Sequence, residues 1–262
     1  MSATNEVIIV TGASRGLGYA IAQDLVKSGL KVINVDRETP DDVQTNQFQN
    51  YLCDLLKFNF SSENLVGLIQ EELKVKVVGL VNNAIAPHKQ SGFFEDLDSV
   101  KTLVEIGLIA PYMLTQNFAE ILLARNEFSK ISPIVNISSC VVDAPSDNSG
   151  SYHLAKGGLN ALTKYASIKY SDLGIRVNSI LPAFILKEND SEFFYSDQNS
   201  DYREVVERLH PIGRVGREYD VASMVSFLIS ERASFITGQL INIDGGYGLA
   251  DPLKIALGLK SE

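Results

Sequence analysis

The stretch Val7-Ile8-Ile9-Val10-Thr11-Gly12-Ala13-Ser14-Arg15-Gly16-Leu17-Gly18 decides how this chain folds. An unbroken run of β-branched residues reads as a strand buried on both faces, because a half-exposed strand would alternate. Glycines follow at positions 12, 16 and 18. There they permit positive φ, let the backbone approach an anion and let a helix pack close to a sheet. The segment after them is helical. Leu17, Ile21 and Leu25 recur on one face, and Gly29 is a good terminator. The helix N-terminus, with free N–H groups and a positive dipole end, therefore meets the turn. Strand, glycine turn and helix in this order form a cradle for a dinucleotide pyrophosphate. Its candidate contacts are Gly12, Ser14, Arg15, Gly16, Leu17 and Gly18.

Further apolar runs follow at Val32–Val35, Val77–Val81, Ile134–Ile137, Arg176–Ile180 and Leu240–Ile243, separated by longer segments. Strands alternating with helices predict an α/β domain with a parallel, doubly wound sheet. No linker, repeat or low-complexity tract divides the chain, so residues 1–262 read as one domain. The second strand ends at Asp36, 18 residues after Gly18. A carboxylate there accepts hydrogen bonds from the adenosine ribose and repels a 2′-phosphate, which favours NAD. Arg15 and Arg37 lie close by and keep NADP open, since arginine clamps phosphate.

Two segments break the rhythm. Glu38–Asn50 is polar, contains Pro40 and reads as loop. Tyr51-Leu52-Cys53 reads as a third strand. Lys187–His210 carries seven acidic residues between Glu188 and Glu207 against one arginine, with Phe193, Phe194, Tyr195 and Tyr202 among them. Such a segment suits a lid over a substrate pocket.

Composition sets the outer bounds. Of 262 residues, 45% are hydrophobic and 21% charged, enough for a sizeable core and unlike a disordered chain. The net charge of −9 opposes general attraction to nucleic acid or anionic lipid. Cys53 and Cys140 are expected as buried, reduced thiols, with no disulfide and no metal site. No apolar stretch approaches the ~20 residues of a membrane span. No basic segment leads into an apolar one at the start, so the expectation is a soluble cytoplasmic protein without nucleic-acid or membrane partners.

Taken in order, the glycine turn Thr11–Gly18, Asn82-Asn83-Ala84, Ser139, Tyr152-His-Leu-Ala-Lys156, Ile175-Arg-Val-Asn178 and Thr237–Gly246 resemble the short-chain dehydrogenase/reductase family over nearly the whole chain. The resemblance implies one Rossmann-type domain with a seven-stranded parallel sheet. It also implies homodimers or homotetramers and NAD(P)-dependent interconversion of alcohols and carbonyls. By the same resemblance Asp54 and Leu55 meet the adenine, and Asn83 and Ala84 line the cofactor cleft. Pro182, placed after the sixth strand, and Ile185 approach the nicotinamide. Ser139 is chosen over Ser138.

The chemistry accounts for these residue types. Hydride transfer at a carbonyl carbon needs a proton at the oxygen, and its reverse needs a base there. Tyrosine, with a pKa of about 10, is too weak a base at neutral pH unaided. Lys156, four residues after Tyr152, shares its helix face, and a nearby cation favours the phenolate. By the resemblance Lys156 also holds the nicotinamide ribose. Ser139 is a candidate donor to the substrate oxygen. His88, Lys89, His153 and His210 show no pairing partner in the sequence.

Departures from the family pattern are equally specific. Ile85 stands where Asn-Asn-Ala-Gly has glycine, Ala183 where Pro-Gly has glycine, and Lys187 where a threonine is expected. Gly107 stands where many members place an asparagine whose carbonyl holds a relay water behind the lysine. Pro111 lacks the N–H that would bond the Gly107 carbonyl, so that carbonyl is free to hold the water and the helix is expected to kink there. The reading is an oxidoreductase acting on a secondary alcohol such as a cyclic diol, sugar or polyol. The alternatives are a 3-oxoacyl-type reductase and a non-catalytic dinucleotide-binding regulator. Val141, Val142, Asp143, Phe184 and Phe194 are candidates for setting substrate choice.

Overall fold

A computed structural model describes residues 5–40, 45–87, 94–126, 131–145, 147–251 and 253. Among them the expected strands form as β1 (Glu6–Thr11), β2 (Lys31–Asp36), β3 (Phe48–Leu52), β4 (Lys76–Asn82), β5 (Ser132–Ile137) and β6 (Ile175–Pro182). A two-residue pair, β7 (Ile185–Leu186) and β8 (Gly216–Arg217), lies apart, and β9 (Leu240–Ile243) completes the main sheet. The main sheet has seven parallel strands in the order β3-β2-β1-β4-β5-β6-β9. The chain runs outward from β1 to β3 and then returns to β4 on the other side of β1. That reversal opens a crevice at the carboxyl ends of β1 and β4, where doubly wound sheets bind ligands.

Both faces of the sheet are covered, which is why the strands read as unbroken apolar runs. Ile8, Val10 and Val32 pack under α1 (Gly16–Lys27), with Val81, Val135 and Ile180 completing that core under Val221, Val225 and Leu228. Val7, Ile9, Ile33, Leu80, Ile134 and Val177 face the opposite way, toward α2 (Leu65–Leu73) and a long helix. That helix comprises α3 (Leu97–Val104), a π-helical turn (Glu105–Ile109) and α4 (Ala110–Arg125). Next to it lies α5 (Gly150–Lys169). Two short helices follow, α6 (Ser191–Phe194) and α7 (Ser200–Arg208), and then α8 (Glu218–Ile229), which pairs with α1.

Several expectations need correction. The third strand begins at Phe48, because the buried Phe48 ring anchors it, and ends before Cys53. Pro182 is the last residue of β6, opposite Ile243, and not a residue beyond it. Cys53 is only half-buried, although Cys140 is buried as expected. Leu97–Arg125, 29 residues long, reaches the length and apolarity of a membrane span. More than half of its most apolar window is buried within the fold, which is how a core helix reads. Position 107 does interrupt this helix, but as a π-turn: Ala110 N–H bonds the Glu105 carbonyl. The missing N–H of Pro111 accounts for where regular bonding fails.

The segment after Lys187 is folded. Phe194, Val206 and Val215 are buried together against Leu186, and Phe184 stacks near Phe194 at 5.9 Å. Phe194 is therefore part of a small core. Phe193 remains exposed.

Candidate active site

The glycine turn is stitched by side chains from neighbouring strands. Asn83 donates from Nδ2 to the carbonyls of Thr11 and Gly12, both at 3.0 Å. The Thr11 hydroxyl accepts from the N–H groups of Asn83 and Ala84, also at 3.0 Å. Asn83 and Ala84 thus pack against the glycine turn just after β4, and Asn83 fixes it. Gly12 has φ +69°, and a Cβ there would stand 2.8 Å from the Ala84 Cα. At Gly18 a Cβ would stand 2.2 Å from the Gly12 carbonyl oxygen. A Cβ on Gly16 would meet only the Glu218 carboxylate, at 3.7 Å. The turn is packed tight beneath and open above, as a pyrophosphate requires.

Asn34 was not anticipated as part of this site. Fully buried in β2, it accepts the Ala13 N–H at 2.8 Å and donates to the Ser14 hydroxyl at 3.0 Å. Its one sequence signal is a polar residue inside the apolar run Val32–Val35. Asp36 ends β2 and accepts the Ser14 N–H at 3.2 Å. Arg15 and Arg37 both turn to Glu38, at 3.1 and 3.6 Å, in exposed pairs that contribute little to stability. Asp54 follows β3 and pairs with Lys57, and Leu55 behind it is buried.

Tyr152 is the third residue of α5, and Lys156 lies one turn further along the same face. Ser149 caps the helix and accepts the Tyr152 N–H at 3.3 Å. Glu95, also unforeseen, accepts the Ser151 N–H at 3.0 Å and the Ser151 hydroxyl. These bonds hold its carboxyl below the usual carboxylate range. An acidic group thereby ties the approach to α3 to the first turn of the helix that carries Tyr152, where the helix dipole favours it.

Lys156 is buried, and its Nζ donates to the Ile137 carbonyl at 2.6 Å. Burial pulls it down to about 8. Nζ lies 5.7 Å from the centre of the Tyr152 ring. Tyr152 is pushed upward by burial, while a hydrogen bond with the Ser139 side chain pulls it down. The expected lowering by Lys156 is not among the causes acting on Tyr152, where desolvation is the largest. The two serines separate cleanly. Ser138 donates to the Lys156 carbonyl at 3.3 Å, whereas the Ser139 hydroxyl reaches Tyr152.

Gly107 and Ile85, two departures from the family pattern, touch one another. A Cβ on Gly107 would stand 2.8 Å from Ile85 Cδ1 and 3.0 Å from the Ala155 Cβ. Ile85 thus places its δ-methyl in the notch that glycine leaves beside the Tyr152–Lys156 helix. Gly107→Ala is expected to destabilise the protein by about 1–3 kcal/mol through overpacking, despite the better helix propensity of alanine. Adding Ile85→Val should recover part of that loss, since the clashing methyl is gone. Chemical denaturation of the single and double variants reads the coupling, and strictly additive effects would refute the contact.

The remaining candidates separate by position. Pro182 closes β6, and Ile185 begins β7, with its δ-methyl against Gly216. Val141 is buried in the turn after Ser139. His153 Nδ1 contacts the Ser149 carbonyl at 2.9 Å. His210 is buried and donates from Nδ1 to the Val206 carbonyl at 2.8 Å. It lines a cavity of about 290 Å³ with Ala183, Phe184 and Asp244. His88 and Lys89 lie outside the described residues. Among the described residues no cluster of His, Cys, Asp or Glu has the arrangement of a metal site. Arg176 and Asn178 of the Ile175–Asn178 motif are structural. Arg176 donates to the Leu228 and Ser230 carbonyls at the end of α8, and Asn178 Nδ2 donates to the Ile236 carbonyl.

Comparison with known proteins agrees with this geometry. A family profile described as enoyl-(acyl carrier protein) reductase matches residues 12–248. The 3-oxoacyl-acyl-carrier-protein reductase of Rickettsia typhi is 31% identical over 248 residues, covering 93% of this chain and 97% of that one. Ligand-free aldohexose dehydrogenase of Thermoplasma acidophilum superposes with a TM-score of 0.80 at 27% identity, covering 99% of this chain and 98% of that one. 4-Hydroxyisoleucine dehydrogenase complexed with NADH superposes with a TM-score of 0.81 at 26% identity, covering 94% of this chain and all of that one.

Proposed function

The chain belongs to the short-chain dehydrogenase/reductase family and is a nicotinamide-dinucleotide-dependent oxidoreductase, and from that premise we propose that it oxidises a secondary alcohol of cyclic diol, sugar or polyol type with NAD. One observation carries the chemistry: the buried Ser139 and Lys156 converge on the half-buried Tyr152 hydroxyl and ring at the carboxyl end of β5. In this reading Tyr152 takes the alcohol proton, or returns it to the carbonyl oxygen in the reverse direction. Ser139 donates to that oxygen and steadies developing charge. Lys156 sets the charge around the phenol and holds the nicotinamide ribose. The Gly107 carbonyl, denied an α-helical donor by Pro111, takes the relay water behind Lys156. When bound, the nicotinamide supplies or accepts the hydride. Gly12–Gly18, Asp36, Asp54, Leu55, Asn83, Ala84, Pro182 and Ile185 hold the cofactor.

A 3-oxoacyl reduction is the second reading, favoured by the 31% identity to the Rickettsia typhi reductase. Against it stands the acidic face of α6 and α7, which repels a strongly anionic substrate. The protein works in the cytoplasm on this reading, a setting that keeps both thiols reduced. It assembles as a homodimer or homotetramer. Ile109, Tyr112 and Leu123 on one helix, with Leu154, Tyr165 and Ile168 on α5, give it an exposed apolar face for a second copy.

The preference for NAD rests on Asp36, with Glu38 engaging the two arginines that would otherwise be free for a 2′-phosphate. Fluorescence titration is expected to show NADH binding at least about tenfold tighter than NADPH, about 1.4 kcal/mol. Asp36→Ala should lose that preference. Tighter binding of NADPH would instead assign Arg15 and Arg37 to the 2′-phosphate and put carbonyl reduction first.

A further inference from the structure

Glu218 opens α8 beside Gly16, which opens α1. Its Oε1 is buried and has no hydrogen-bond partner among the described residues. That carboxylate stands 3.7 Å from the place a Cβ on Gly16 would occupy, at the edge of the pyrophosphate cradle. The carboxylate also accepts the backbone N–H of Glu188, in the first turn of the segment after β7. One side chain thus links the glycine turn to the start of the acidic lid-like segment.

The charges around it are unbalanced. From the lid segment Glu188 and Asp190 add negative charge and Lys187 alone offsets them. On α8 itself Asp220 is occupied by Arg214 at 2.7 Å. On the α1 side Arg15 is turned to Glu38. Burial and the two acidic neighbours push the Glu218 carboxyl upward from its ordinary value. A dinucleotide would bring further negative charge to this place. The group most easily neutralised is a carboxyl whose charged form is already disfavoured and whose Oε1 lacks a donor.

We propose that Glu218 is a cofactor-affinity residue whose carboxyl takes up a proton as the dinucleotide binds, so that Oε1 faces the pyrophosphate as an O–H donor while the carboxyl still accepts the Glu188 N–H. The inference rests on the dinucleotide reading of the glycine turn. Its sign follows from linkage. A proton taken up on binding makes affinity greatest at low pH. Affinity falls as pH rises from the free-protein pKa of Glu218 to its higher value in the complex.

The test is NADH binding between pH 5 and 8 for the intact protein and for Glu218→Gln, using NADPH if it binds more tightly. Gln keeps the acceptor, supplies a donor and cannot ionise. Glu218→Gln should bind at least threefold tighter than wild type at pH 8, and the two should converge toward pH 5. Calorimetry in two buffers of different ionisation heat should show proton uptake by the wild type that the variant lacks. Parallel pH curves, or equal proton uptake, would overturn the role of Glu218 and leave the dinucleotide reading standing. Failure of both dinucleotides to bind a folded wild-type protein would overturn that reading and this proposal with it.

Discussion

Replacing Tyr152 by phenylalanine is expected to lower turnover about 10²–10⁴-fold while leaving the dissociation constant for NADH unchanged within about twofold. The two quantities separate because the tyrosine sits on α5 and the phosphate cradle is built by β1, α1 and the end of β2. Phenylalanine keeps the ring and its place beside Lys156 and removes the hydroxyl, with its exchangeable proton and its hydrogen bond to Ser139. The wild-type rate of alcohol oxidation should rise with pH as the phenol deprotonates, since burial holds Tyr152 above its ordinary value in the free protein. The residual rate of the variant should lose that dependence. Steady-state rates with a panel of secondary alcohols, paired with NADH titration, give both readouts. Unchanged turnover would exclude Tyr152 as the acid/base, and a non-catalytic regulatory role would regain ground.

Gly18→Ala is expected to weaken NADH binding at least about 100-fold, about 2.7 kcal/mol, and to lower the melting temperature. The added methyl would stand 2.2 Å from the Gly12 carbonyl oxygen and 2.4 Å from Asn83 Nδ2. Neither is the free end of a flexible chain. One is backbone, and the other is held by two hydrogen bonds to Thr11 and Gly12. The helix must move off the strand or Asn83 must release the turn, and either change spreads the N–H groups that face the anion. Gly29→Ala is the matched control. Gly29 has φ +86° with nothing within 4 Å of its added Cβ, so it should cost about 1 kcal/mol of stability and leave NADH affinity intact. Equal effects of the two substitutions on affinity would mean the turn is not the cofactor cradle.

The parts of the site legible in the sequence are those coded by local chain geometry. Asp36 is placed by the length of an apolar run, and Lys156 is placed beside Tyr152 by one helical turn. Gly107 and Pro111 announce a helix interruption because one residue lacks a side chain and the other an N–H. The form of that interruption is different: the chain widens into a π-turn over Glu105–Ile109, in which Ala110 N–H bonds the Glu105 carbonyl.

Other residues were out of reach of pattern alone. Glu95 lies 56 positions from Ser151, and Glu218 lies 202 from Gly16. Each reads in the sequence as one more charged surface residue. Phe194 reads as a pocket aromatic in a polar segment, yet it is buried with Val206 and Val215, because α6 and α7 fold onto a small core of their own.

By itself the sequence determined the parallel sheet, the glycine turn, the order of the strands along the chain and the pairing of Tyr152 with Lys156. All of these depend on periodicity, backbone freedom or spacing within a few turns, which act over short chain distances. Only the tertiary structure decided which serine reaches Tyr152 and that Asn34 and Asn83 fasten the turn. It alone decided that Ile85 fills the space above Gly107 and that Glu218 stands at the edge of the cradle. Those contacts join residues far apart in the chain, and close packing, which periodicity does not encode, selects one partner among the many each side chain would accept.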